Sequence, residues 1–124
     1  MPVMARLGEL ERSVMEVLWS ARTAHTARDV LDALPDRDLA ATTVLTVLSR
    51  LERKGLVVRD RDGRAHRYRA VGSREEHVAA LMREALDTAD DRAAVLARFA
   101  DEVTPHEAAA LQRALAEALR RRGA

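Results

Sequence analysis

Leu7, Leu10, Val14, Val17 and Leu18 recur at three- and four-residue spacing, the period that stacks side chains along one face of an α-helix. The spacing predicts a first helix over residues 8–21, with Trp19 near its end. Ala27, Val30, Leu31 and Leu34 repeat the period after Thr26, whose hydroxyl suits an N-cap. Pro35 closes that second helix, because the residue before a proline is pushed out of helical geometry. Residues 35–38 read as a loop. A third helix is expected over residues 41–54, with Val44, Leu45, Val47, Leu48 and Leu51 on its buried side. Gly55 is its expected stop, and Arg53 and Lys54 lie where the negative end of the helix dipole favours cations.

The period then changes. Residues 56–61 read as a strand, Asp62-Gly63 as a tight two-residue turn, and residues 64–71 as the returning strand. Three helices followed by a hairpin is the order of a winged helix-turn-helix. Ser73 and Glu76 form a capping box that opens a helix carrying Val78, Leu81, Met82 and Leu86. Asp90 or Asp91 starts another, with Ala94, Val95, Leu96, Phe99 and Val103. Thr104 and Glu107 cap the last helix, which has Pro105 in its first turn and Ala108, Leu111, Leu115 and Leu119 along it. The fold class expected is mainly α. A winged helix-turn-helix occupies residues 1–72 and a three-helix region residues 73–124. The latter is too short to bury its own apolar faces, so docking onto a second copy through Leu81, Leu96, Phe99, Leu111 and Leu115 is expected.

Composition sharpens this picture. Trp19, Tyr68 and Phe99 are the only aromatics, so Leu, Val and Ala must build the core. There is no cysteine, which excludes disulfides, thiolate metal sites and a Cys nucleophile. No run of about 18 apolar residues is present, and the first residues do not resemble a secretory leader, so a cytoplasmic protein without membrane insertion is expected. The four histidines, His25, His66, His77 and His106, have no metal-ligand spacing, and there is no glycine-rich phosphate loop or nucleophile elbow. No catalytic residue, metal or cofactor is therefore expected, and the protein is not read as an enzyme.

The net charge is only +1, but residues 50–69 hold eight basic and three acidic residues. A concentrated basic segment is what a phosphate-binding surface needs. In the third helix, Thr42, Thr43, Thr46, Arg50 and Arg53 lie on or near the side opposite the apolar stripe, as required of a helix that enters the major groove of double-stranded DNA. A threonine hydroxyl can bond a base edge or a phosphate, and its methyl can meet a thymine methyl. Arg50 can fork onto guanine or phosphate. For Thr42 or Thr43 an N-cap role is the alternative. In the hairpin, period-two alternation puts Arg59 and Arg61 on one face of their strand and Arg67 and Arg69 on one face of the other, with Arg64 near the tip. Wing contacts to phosphate position a protein without reading sequence. A charged edge that resists aggregation is the plainer alternative.

Residues 7–11 with Val14-Met15 and Leu18-Trp19, the string from Thr42 to Leu51, Lys54-Gly55-Leu56-Val57, and the strand from Arg64 to Tyr68 together resemble the penicillinase repressors of the BlaI/MecI type. The resemblance covers nearly the whole chain. It implies a homodimer joined by its C-terminal helices, palindromic operators in resistance operons, and relief by a membrane sensor-metalloprotease that cuts the dimerisation region. The family's cleavage pair is asparagine–phenylalanine. Here Phe99 matches and Arg98 does not, and Phe99 reads equally as an interface aromatic. The copper-responsive relatives carry paired cysteines, which this chain lacks. Two rivals are a ligand-sensing winged-helix repressor and a protein-interaction module with an incidental basic hairpin.

Overall fold

The apolar stripes of the first three helices close on one another and on the hairpin. The computed structural model describes residues 8–21, 23–36, 38–62 and 65–123. Within them run α1 (Glu9–Ser20), α2 (Ala27–Ala33), α3 (Ala41–Arg53), β1 (Val57–Asp62), β2 (Ala65–Ala70), α4 (Arg74–Asp87), α5 (Arg92–Glu102) and α6 (Pro105–Arg121). The chain divides into two compact units, Met1–Glu84 and Ala85–Ala124.

Local chemistry sets most boundaries. Thr26 Oγ1 accepts from the Asp29 N–H and the Asp29 carboxylate accepts from the Thr26 N–H, both at 3.1 Å, which satisfies two end donors of α2. Ser73–Glu76 and Thr104–Glu107 make the same reciprocal pairs before α4 and α6, and Asp91 caps α5 through the Ala94 N–H. At the end of α3, the Gly55 N–H bonds the Glu52 carbonyl and the Leu56 N–H bonds the Leu51 carbonyl, each at 3.0 Å. Gly55 has φ +80°, so this is a Schellman termination with glycine in the left-handed region. A Cβ at Gly55 would meet no atom within 4 Å. Gly55→Ala is therefore expected to cost about 1 kcal/mol from backbone conformation alone. Urea unfolding measures it, and an unchanged midpoint would contradict the assignment.

The strands pair antiparallel with Val57 opposite Ala70 and Asp62 opposite Ala65. The Asp62-Gly63 turn expected from sequence involves Gly63, which lies outside the described residues. His25, between α1 and α2, adds a bridge to the hairpin by exchanging backbone hydrogen bonds of 2.8 and 2.7 Å with Tyr68.

One core serves this unit. Val14, Met15, Leu18, Val30, Leu34, Val44, Val47, Leu48, Leu51, Leu56, Val57 and Tyr68 are its buried apolar members. Leu45, expected on the buried side, is instead 43% exposed, because the stripe of α3 is centred between Val47 and Leu48 and leaves Leu45 on its shoulder. A charged pair lies at the edge of this core. Glu11, buried on α1, accepts from Lys54 Nζ at 2.8 and 2.9 Å and from the Gly8 N–H at 2.9 Å, so it ties the start of α1 to the end of α3. Burial pushes the Glu11 carboxyl up, but the Lys54 and Gly8 hydrogen bonds, with the Lys54 and Arg50 charges, bring it below its ordinary value.

The start of α4 is held against α1. His77 is buried with its ring centroid 5.2 Å from that of Trp19, the Arg74 guanidinium lies 5.6 Å from the same indole, and Arg74 pairs with Glu16. Burial, then the Arg12 charge, holds the His77 imidazole below its usual range, so it packs as a neutral ring.

The second unit has a different character. No residue of α5 or α6 is buried. Val95, Leu96 and Phe99 on α5 and Leu111, Leu115 and Leu119 on α6 are all exposed, the latter three in a four-residue stripe. Among the described residues no helix is long and apolar enough to cross a membrane.

Candidate nucleic-acid interface

The site is built on α3 and on the hairpin that follows it. At about 100° per residue, the buried Val44, Val47, Leu48 and Leu51 of α3 face away from Thr42, Thr46, Ser49 and Arg53, all of which are exposed. Thr43 and Arg50 occupy one shoulder and Leu45 the other, and these too are exposed. The five residues expected to face DNA from this helix thus lie on one continuous outward surface, to which Ser49 and Leu45 are added.

The N-cap of α3 is Ala40, without a side-chain hydrogen bond, so neither Thr42 nor Thr43 serves as the cap. Both are free of that structural duty. Thr46 Oγ1 donates to the Thr42 carbonyl at 3.0 Å, so its hydroxyl hydrogen is occupied within the helix. The oxygen can still accept, and the methyl remains on the outward side.

In the hairpin, register decides what strand alternation alone left open. Cross-strand partners share a face, so Arg59 and Arg61 lie with Tyr68 and His66, whereas Arg67 and Arg69 lie with Asp60 and Val58. The wing arginines are thus divided between two faces. Several already have carboxylate partners. Arg59 lies 3.6 Å from Glu52 on α3, Arg67 lies 4.0 Å from Asp29 on α2, and Arg69 is hydrogen-bonded to Asp60 at 3.2 Å. Asp29 is kept ionised for Arg67, because the Thr26 backbone N–H foremost, then the Thr26 hydroxyl, lowers its carboxyl. Arg61 is exposed, and Arg64 is outside the described residues. Of these pairs only Arg67–Asp29 joins elements distant in sequence; Arg59–Glu52 joins consecutive elements and Arg69–Asp60 the two strands of the hairpin.

Two concavities lie among the described residues of this unit. One of about 200 Å³ is lined by Met15, Trp19, Leu56, Val71 and His77 among others. That is smaller than the roughly 300–1,000 Å³ usual for a small-molecule site. The other, of about 560 Å³, is a wide-open groove beside Ser13, Val17, His25 and Pro35.

Residues 7–117 match the family model described as penicillinase repressor. The chain belongs to the penicillinase repressor family. As a penicillinase repressor it is a regulator of transcription and not an enzyme. It is 53% identical over 121 residues to the transcriptional regulator BlaI of Mycobacterium tuberculosis, a match covering 94% of this chain and 88% of that protein. Among solved structures it resembles an ArsR-like transcriptional regulator from Rhodococcus sp. RHA1, with TM-score 0.52 and 24% identity over 78% of this chain and 84% of the other. It also resembles a mutant of S. aureus MepR bound to an oligodeoxyribonucleotide, with TM-score 0.51 and 19% identity over 91% and 78% of the two chains. These two likenesses bear on the fold of this penicillinase repressor, which is that of winged-helix regulators.

Proposed function

We propose that this penicillinase repressor is a cytoplasmic homodimer that binds a palindromic operator in a β-lactamase or similar resistance operon and blocks promoter access. In this reading α3 of each subunit enters a major groove through Thr42, Thr43, Thr46, Arg50 and Arg53. The hairpin follows the phosphates through Arg59, Arg61, Arg64 and Arg67. The observation that carries the reading is the combination of two unpartnered surfaces on one chain. One is the polar, basic face of α3 over a fully buried stripe. The other is the exposed leucine stripe of α6 with Leu96 and Phe99 on α5. Two-fold pairing through the second surface presents two copies of the first, which is what a palindrome requires.

Relief of repression is assigned to a membrane sensor-metalloprotease that cuts between Arg98 and Phe99. That bond lies inside α5, a helix of 11 residues with no buried side chain. A helix this short is marginal by itself in water, so when its contacts with the partner are released it can open to the extended form a protease needs. The cut separates α6 from the DNA-binding unit.

Selection of genomic fragments by the purified protein at physiological salt tests the central reading. A two-fold motif near a resistance or sensor-protease gene is the expected result. Binding that is weak, salt-sensitive and without a motif would overturn it. On the selected site, Arg50→Ala is expected to lower affinity roughly tenfold or more while leaving non-specific binding nearly unchanged. Arg61→Ala should weaken both alike, because a phosphate contact carries no sequence information. Equal behaviour of the two variants in an anisotropy titration would contradict this division of roles.

A further inference from the structure

Leu45 is the one large hydrophobic residue left exposed among the described residues between Gly8 and Ala70. It stands on a helix whose other exposed positions are small, polar or basic. It lies one turn from Thr42 and Ser49 and on the same side of α3 as Glu52, which pairs with the hairpin's Arg59. A single leucine flanked by threonine, serine and a charged pair is too small an apolar area for a stable protein interface. It is well matched to another target. The C5 methyl of thymine is the only apolar group that a base pair presents in the major groove. Thr46, on the outward face, has its hydroxyl hydrogen committed to the Thr42 carbonyl at 3.0 Å, which leaves its oxygen able to accept and its methyl able to pack.

From this juxtaposition we infer that Leu45 is a specificity-determining residue that reads a thymine methyl group in each operator half-site. The inference rests on the proposal that α3 enters the major groove, and it adds a base preference to it. Recognition on this shoulder of the helix selects thymine by packing, while Arg50 on the opposite shoulder selects by hydrogen bonding.

The experiment scans the selected operator duplex by replacing each thymine, symmetrically in both half-sites, with deoxyuridine. That change removes the methyl group and keeps every hydrogen-bonding atom. For the full-length protein, one position per half-site is expected to lose roughly tenfold in affinity, about three- to fivefold for each methyl no longer buried. Leu45→Ala should bind the unmodified duplex more weakly by a similar factor and show no further loss with deoxyuridine at that position. Leu45→Met, which keeps an apolar side chain, should retain most of the thymine preference. A melting temperature close to wild type for both variants shows that the fold is intact, as the exposure of Leu45 leads one to expect. The inference is overturned if every deoxyuridine position costs wild type and Leu45→Ala equally, or if none costs anything. A selection that yields no operator at all overturns the repressor reading itself, and this inference with it.

Discussion

Leu111→Glu combined with Leu115→Glu is expected to convert the protein from dimer to monomer and to lower operator affinity by roughly a hundredfold. Both leucines are exposed and one turn apart on α6, so the substitutions place two carboxylates in each copy of the proposed interface. Like charges brought together out of water oppose association strongly. Neither leucine belongs to the core of the DNA-binding unit, so that unit should keep its thermal transition. The fall in affinity comes from lost linkage. Once one half-site is held, the second subunit's contact is intramolecular, and a monomer forfeits that effective concentration. Sedimentation equilibrium reads the first effect and anisotropy on a full operator the second. A double variant that stays dimeric would remove α6 from the interface.

Lys54→Met is expected to destabilise the DNA-binding unit by about 2–3 kcal/mol at pH 7, toward the lower side of what breaking a buried ion pair costs because Lys54 keeps some access to water. Without Lys54, the Glu11 carboxylate remains buried with the Gly8 N–H as its one hydrogen bond. The deficit should depend on pH in a defined direction. In the wild type the native Glu11 carboxyl is held below its ordinary value, so between those two values the unfolded chain binds more protons than the native one. The contribution of the pair is therefore whole above about pH 4.5 and is lost as pH falls through the native value. In the variant, burial without the ammonium favours the protonated acid, which restores stability in acid. The gap between the two proteins should accordingly narrow as pH falls, first through relief of the variant above about pH 4.5 and then through loss of the wild-type pair below it. Urea unfolding at neutral and acidic pH checks this, and a gap independent of pH would show that Lys54 acts through packing of its stem alone.

The features legible in the sequence were those whose cause is local. Thr26, Ser73–Glu76 and Thr104–Glu107 act within three residues, and Gly55 ends a helix by its own backbone freedom. The features that were not legible join distant residues. Glu11 and Lys54 meet across 43 positions. His25 bridges Tyr68, and Trp19 meets His77, only after the helices have packed. Leu45 shows the same limit inside a single helix. Its three-residue spacing from Leu48 placed it with the apolar stripe, but the width of the buried strip depends on what packs against it, and here that strip stops short of Leu45. The candidate DNA surface on α3 could be read from periodicity alone. The wing could not, because strand alternation gives each strand's faces but only register relates the two strands.

The carboxylates beside Arg59, Arg67 and Arg69 also bear on how the protein would find its site. A protein that meets DNA with bare cations releases one condensed counterion for nearly every phosphate it touches, and holds any sequence tightly at low salt. Here Glu52, Asp29 and Asp60 already occupy that role for part of the wing, so a phosphate must displace a tethered anion. The gain from arbitrary DNA is correspondingly small. Because a phosphate contact carries no sequence information, this reduction applies to an operator and to arbitrary DNA alike, and the salt dependence of both should be shallower than the number of wing arginines implies.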